Sequence, residues 1–256
     1  MRCLPLAFGL AFLLGCAGHD APPSKNEVIA HTLATTVQLV AERPNGARRS
    51  GSAVLLGDGS GGRAFVVTAH HVLAPEAEQR LAVHFPQRQR RADAVLLASD
   101  PDLDLALLAA SGPADAEVRL RQEAFLGDEV WVVAFPWGRR RTVVKGVVSQ
   151  IDAPAEEARE AAAIGGPIRL IDASVSYGMS GGGVFDARTG DLLGIVRGYR
   201  TAQLSVQGSD AQPLQVPLAG ETTVISAAQI ACFLAANGFA HLMPAEASSA
   251  PRCPAQ

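Results

Sequence analysis

The stretch Ser174-Val-Ser-Tyr-Gly-Met-Ser-Gly-Gly-Gly-Val-Phe185 constrains the fold more than any other part of the chain. It sets one hydroxyl, Ser180, among Gly178, Gly181, Gly182 and Gly183. Each interior glycine costs a helix about 1 kcal/mol relative to alanine. Glycine also weakens the interior of a strand. What the run suits is a tight turn with its backbone laid bare, because glycine reaches positive φ without strain and lets a ligand approach the main chain. A nucleophilic serine needs such a place: an exposed Oγ with N–H groups beside it, aimed at a developing oxyanion. Taken alone, the stretch fits a glycine-rich hairpin with an idle serine equally well.

The rest of the chain reads as all-β. Strand-like runs fall at Thr35 to Val40, Gly51 to Leu56, Ala64 to Thr68, Leu81 to Phe85, Ala94 to Ala98 and Leu105 to Ala109. After a break near Ser111 to Asp115 they resume at Glu129 to Phe135, Thr142 to Gln150 and Ile168 to Asp172. Val184-Phe185 and Leu192 to Arg197 follow as a hairpin across Thr189-Gly190, then Thr222 to Ile225. Short strands at this spacing, with no helices between them, point to a barrel or sandwich and away from βαβ units. The break divides them into two sets of about six, which fits two barrels. One helix is signposted at 226–237. Ser226 and Gln229 make a capping box, Ile225 and Ile230 a hydrophobic staple, and Gly238 a stop. Arg88 to Arg91 and Arg139 to Arg141 read as solvated loop charges. With a formal charge of −3 and no basic excess, nothing points to nucleic acid.

The first segment stands apart. Met1-Arg2 precedes an apolar run of 11 residues, Leu4 to Leu14, too short to span a bilayer, which reads as an export signal. It ends Leu13-Leu-Gly-Cys16, which resembles the bacterial lipoprotein signal, where the cysteine carries the lipid as the mature N-terminus. The alternative is an ordinarily cleaved signal. Residues 16–26 read as a tether and residues 241–256 as a flexible tail. Cys232 and Cys253 can pair in an oxidising compartment, closing a loop of about 20 residues for about 3 kcal/mol.

A serine nucleophile needs a base and an orienter. Of six histidines, His70-His71 directly follow an apolar strand. Neighbouring residues point different ways, so one at most faces Ser180. A buried structural pair is the other reading, and the spacing is poor for a metal. Asp100-Pro-Asp-Leu-Asp104 begins like an EF-hand loop but has Leu105 at its sixth position and Ser111 at its twelfth, so calcium is not expected. Asp104 abuts the apolar strand Leu105 to Ala109, where a carboxylate can be held dry against an imidazole. Gly178-Met-Ser-Gly-Gly182 also fits the elbow of α/β-hydrolases, but that fold wants a following helix and a downstream histidine. The order His71, Asp104, Ser180 is the chymotrypsin order.

With these residues in place, the chain resembles trypsin-like serine proteases, on the bacterial Deg/HtrA-type side. Four blocks carry the resemblance: Gly51 to Leu56 with Val66-Val-Thr-Ala-His-His-Val72; Asp100 to Leu108; Phe135-Pro-Trp-Gly138 through Gly146-Val-Val-Ser149; and Asp172 to Gly183 with Gly194-Ile-Val196. The resemblance implies an all-β fold of two six-stranded antiparallel β-barrels (chymotrypsin-like) with a C-terminal helix. Barrel one is expected at about 27–113 and barrel two at about 114–225, within a peptidase domain at 27–240. It implies His71 as base, Asp104 as orienter, Ser180 as nucleophile and the N–H groups of Gly178 and Ser180 as the oxyanion hole. Ser174, Arg197 and Gly198 are expected at the substrate pocket. With Ser174 near its base and no carboxylate there, small or apolar side chains are favoured over Lys or Arg.

Met179 departs from the pattern. It stands where secreted trypsins carry an aspartate that pairs with a freshly cut N-terminus, so activation by such a cut is not expected. Eighteen residues follow Gly238, so no peptide-binding PDZ domain is expected there. The expected protein is an exported, lipid-anchored cell-envelope serine endopeptidase acting on polypeptides without metal or other cofactor. The main alternative is a catalytically idle, lipid-anchored, peptide-binding pseudoprotease. An esterase on the same triad and a structural envelope lipoprotein are the others.

Overall fold

The computed structural model describes residues 22–59, 62–73, 79–112, 117–150, 168–171, 173–204 and 214–243. Helix α1 (Lys25–Thr35) leads into six strands, β1 (Thr36–Glu42), β2 (Arg48–Gly59), β3 (Arg63–Ala69), β4 (Arg80–Phe85), β5 (Arg90–Asp100) and β6 (Leu105–Ser111). They close an antiparallel barrel in the order β1-β2-β3-β6-β5-β4. Six more follow: β7 (Glu129–Ala134), β8 (Thr142–Gln150), β9 (Ile168–Ile171), β10 (Gly183–Asp186), β11 (Leu192–Leu204) and β12 (Leu214–Ser226). These close a second barrel, β10-β11-β12-β9-β8-β7. Counted from its own first strand, each barrel has the same order, so the chain uses one topology twice. Helix α2 (Ala227–Ala236) ends the domain, with both halves of the Ser226–Gln229 capping box formed.

Successive side chains on a strand face opposite sides, and here both sides of several strands are buried. On β3, Ala64 and Val66 join the interior of barrel one, while Phe65 and Val67 face the other way. On β6, Ala106, Leu108 and Ala110 point in, and Leu105, Leu107 and Ala109 point out. On β7, Val130, Val132 and Ala134 line barrel two, and Trp131 and Val133 its outside. The outward residues of both barrels meet in one cluster with Ile230, Phe233 and Leu234 of α2. Strands buried on both faces read as unbroken apolar runs, as these do in the sequence. At about 1.5–3 kcal/mol for each large apolar side chain buried, this shared cluster holds the barrels together.

Three expectations need correction. First, helix α1 stands where no helix was expected, between the tether and the first strand, taking Lys25 and Asn26 from the one and Thr35 from the other. Its Ser24 hydroxyl accepts from the Glu27 N–H, and the Glu27 carboxylate accepts from the Ser24 N–H at 2.7 Å. Its buried face is Val28, Thr32 and Thr35, so two of three core positions are polar and no apolar stripe shows. Both threonine hydroxyls donate to carbonyls one turn back, Thr32 to Ile29 at 3.0 Å and Thr35 to Thr32 at 3.2 Å. Second, the arginine clusters are not simply loop charges. Arg90 and Arg91 open β5, Arg91 meets Glu42 at 3.2 Å, and Arg141 donates to the Leu33 carbonyl of α1. Third, order persists past residue 241, because Leu242 is buried in the shared cluster. Cys232 is buried and disulfide-bonded. Cys253, Cys16 and the signal segment lie outside the described residues. Among those described, no helix is long and apolar enough to cross a membrane.

Helix α1 docks through Val28 in the shared cluster and through Lys25, whose Nζ lies 5.0 Å over the Trp131 ring. On the same helix, His31 packs against Gly190. Burial holds its imidazole below the usual pKa, and the nearby Asp191 carboxylate offsets part of that effect. As pH falls through about 6.5, the unfolded chain therefore gains a proton at His31 that the folded chain resists. Stability present above that pH is lost below it. The expected outcome is a melting temperature that falls from pH 7.5 to 5.5, with a smaller fall in His31→Gln. An identical fall in both proteins would contradict this role.

Candidate active site

Strand register brings the first two residues together. β3 pairs with β6 down to Ala69 opposite Leu105. The residues just past the end of β3 and just before the start of β6 are therefore neighbours. His71 sits in a 3-10 turn after β3, and Asp104 immediately precedes β6. The His71 N–H donates to Asp104 Oδ1 at 2.9 Å, and His71 Nδ1 lies 2.9 Å from Oδ2 and 3.1 Å from Oδ1. A carboxylate there selects the Nδ1–H tautomer and leaves Nε2 as an acceptor. Asp104 is buried with φ +56, a left-handed backbone that aspartate tolerates better than most residues. Its own N–H donates to the Pro101 carbonyl at 3.2 Å, and its carbonyl accepts from His70 N–H at 2.9 Å. The other aspartates divide differently. Asp100 Oδ1 caps the N–H groups of Asp102 and Leu103, and Asp102 is exposed.

Ser180 lies on the glycine turn before β10. Two of its glycines are required by close approach. A Cβ on Gly181 would fall 2.1 Å from the Ser52 carbonyl oxygen and 2.2 Å from Thr68 Oγ1, at φ +80. One on Gly178, at φ +88, would fall 2.7 Å from the Phe135 carbonyl oxygen. The turn is pinned to β2 by Ser52, which the sequence did not single out. The Ser52 N–H donates to the Ser180 carbonyl at 2.9 Å. Its buried hydroxyl donates to the Gly178 carbonyl and accepts from the Phe135 N–H, both at 2.9 Å. Its carbonyl accepts from Thr68 Oγ1 at 2.7 Å. The available signal was a lone hydroxyl inside the apolar run of β2.

Among the described residues, no protein acceptor takes the N–H of Gly178 or of Ser180. Ser180 Oγ donates to the Arg197 carbonyl at 3.3 Å, not to His71. Arg197 sits where the β11–β12 register shifts, and its Nε is 3.6 Å from Asp104 Oδ2. Its carbonyl thus faces the serine and its guanidinium faces the aspartate. Ser174 is exposed ahead of the turn, and Gly198 has open space where a side chain would stand. Met179 is buried in the barrel-two core, with its sulfur 3.3 Å from the Ser176 N–H. An apolar anchor therefore occupies the position that the resemblance associates with an ion pair. Arg49, also unforeseen, donates to the His71 carbonyl at 2.8 Å.

Removing the Ser52 hydroxyl leaves the Phe135 N–H and the Gly178 carbonyl unpaired in a dry site, at about 1–3 kcal/mol each. Ser52→Ala is expected to lower the melting temperature by several degrees and to slow reaction of Ser180 with a small electrophile. Unchanged melting and reactivity would contradict the pinning role.

Comparison with known proteins accords with this arrangement. Residues 51–195, more than half of the chain, match the family model of the trypsin-like peptidase domain. The crystal structure of the serine endoprotease from Yersinia pestis is similar at 24% identity and TM-score 0.59, over 89% of this chain and 69% of that one. The HtrA-type protease AlgW with tripeptide is similar at 23% identity and TM-score 0.63, over 86% of this chain and 64% of that one. The active form of the Rv3671c protease from M. tuberculosis is similar at 21% identity and TM-score 0.62, over 92% and 95%. A twice-used six-stranded barrel and the family match over its centre agree, and this chain belongs to the trypsin-like peptidase family.

Proposed function

We propose that this protein is a serine endopeptidase whose triad is Ser180, His71 and Asp104. The observation that carries the reading is the buried Asp104 carboxylate bonded to His71 Nδ1 and joined through Arg197 to a serine on a bare-backbone turn. In the proposed cycle the Ser180 hydroxyl turns from the Arg197 carbonyl to His71 Nε2. Nε2 takes its proton as Oγ attacks the substrate carbonyl carbon. The N–H groups of Gly178 and Ser180 receive the developing oxyanion, and pre-aimed donors of this kind are worth about 10²–10³ in rate. His71 returns the proton to the leaving amine, giving an acyl-enzyme on Ser180. Water, deprotonated by the same imidazole, then releases the acid. Asp104 keeps the imidazole in the useful tautomer and stabilises its cation. Ser174, Gly198 and the Arg197 main chain belong to the substrate-binding side of the cleft in this reading, and the Cys232–Cys253 pairing to the closing helix.

The apolar run ending at Cys16 supports export and a lipid anchor on that cysteine, placing the enzyme in the cell envelope with polypeptides as substrates. One observation favours a second reading, that of a peptide-binding protein without turnover: the Ser180 hydroxyl rests on the Arg197 carbonyl. Hydrolysis of an unfolded protein separates the two. Wild type is expected to cleave it, Ser180→Ala to be inactive, and Asp104→Asn to lose about 10⁴ in kcat. Near-normal turnover by Asp104→Asn would overturn the triad, and peptide binding with no cleavage by wild type would establish the second reading. Metabolic labelling with a lipid analogue, lost in Cys16→Ser, tests the anchor.

A further inference from the structure

Two large aromatic side chains stand exposed at the Ser180 turn, Trp137 at 67% and Tyr177 at 49%. Neither belongs to any of the three apolar clusters. Their ring centroids are 5.7 Å apart and inclined by 37°. The backbone fixes them against each other, since the Trp137 N–H donates to the Tyr177 carbonyl at 2.6 Å. The same nitrogen lies 2.9 Å from where a Gly178 side chain would begin. The Trp137 turn is in turn held on barrel one. Gln38 Nε2 donates to the Gly138 carbonyl at 2.9 Å and to Ser50 Oγ at 2.8 Å.

Trp137 has φ +56. A bulky residue in left-handed backbone is disfavoured, and a glycine would relieve it. Strain of this kind persists where the surroundings over-determine it, and it collects at ligand-binding sites. Here it presents an indole to solvent beside the N–H group expected to bind the substrate carbonyl. Folding gains nothing from that exposure; a ligand would. An extended peptide advances about 3.3 Å per residue, so a ring pair of this size spans the side chains of about two residues next to the scissile bond.

We propose that Trp137 and Tyr177 form an aromatic subsite, taking an aromatic or large aliphatic side chain of the substrate polypeptide within two residues of the scissile bond. This deepens, and rests on, the reading of Ser180 as the nucleophile. The subsite is separate from the pocket expected around Ser174. A ring seated there stacks on both aromatics and covers apolar surface that the fold leaves wet.

The test uses full-length Ser180→Ala protein and pairs of peptides that differ only by Phe or Ala at each position flanking a cleavable bond. Binding is followed by the fluorescence anisotropy of a dye attached to the peptide, a readout that needs neither Trp137 nor the buried Trp131 and so serves every variant. At one or two adjacent positions the Phe peptide is expected to bind about tenfold tighter than its Ala partner. Trp137→Gly, which suits the left-handed turn, is expected to reduce that advantage to about twofold. Tyr177→Ser, which leaves the turn backbone unchanged, gives a second variant if the first fails to fold. An undiminished preference for Phe in a folded variant, or no preference in the parent, would overturn the subsite. Turnover of a small ester by the Ser180 protein tests the nucleophile separately. Loss of that activity with a retained Phe preference would remove the peptidase reading and leave the subsite standing.

Discussion

The hydrogen bonds of Ser52 connect the two halves of the proposed catalytic centre. His71 and Asp104 come from barrel one, and Ser180 from the turn before β10 of barrel two. The apolar cluster between the barrels supplies most of the adhesion, but apolar contact is non-directional. It brings the barrels together without fixing their register to the fraction of an ångström that proton transfer needs. Ser52 fixes it, by bonding the carbonyls of Gly178 and Ser180 and the N–H of Phe135 from a single residue on β2. The glycine at position 181 is what lets the turn come so near.

Strain is concentrated around the same site. Among the described residues, non-glycine positive φ occurs at Gln89, Asp104 and Trp137. Two of the three, Asp104 and Trp137, lie at the candidate active site. Asp104 uses the left-handed backbone to send its carbonyl to His70 and its carboxylate to His71 from one position. Trp137 uses it to lay its backbone against Gly178 while its ring faces solvent. Arg197 shows a related economy, since a register shift in β11 turns its carbonyl to Ser180 and its side chain to Asp104.

Much of this was legible in the sequence. The glycine turn, the doubly buried strands and the closing helix each had a local physical signature: bare backbone, unbroken apolar runs and a capping box. His70-His71 and Asp104 stood out because each adjoins an apolar strand, and the family resemblance chose His71; the β3–β6 pairing that brings it to Asp104 joins strands far apart in the chain and has no local signature. Other features lacked a local signature. Helix α1 hides its core face behind Thr32 and Thr35, whose hydroxyls are satisfied within the helix. Ser52 looks like any hydroxyl in a strand, because its partners are Gly178 and Phe135, far along the chain. The direction of the Arg197 side chain depends on a register shift that no local pattern encodes. Met179 reads as a missing ion pair and is in fact a core residue.

Active-site labelling tests the central claim most directly. Folded wild-type, Ser180→Ala and His71→Ala proteins would be treated with a serine-directed phosphonate and the adduct mapped by mass spectrometry. The expected result is one adduct per chain, on Ser180, in wild type and none in either variant. An unlabelled wild type, or labelling that survives His71→Ala at the same rate, would contradict a triad in which His71 activates Ser180.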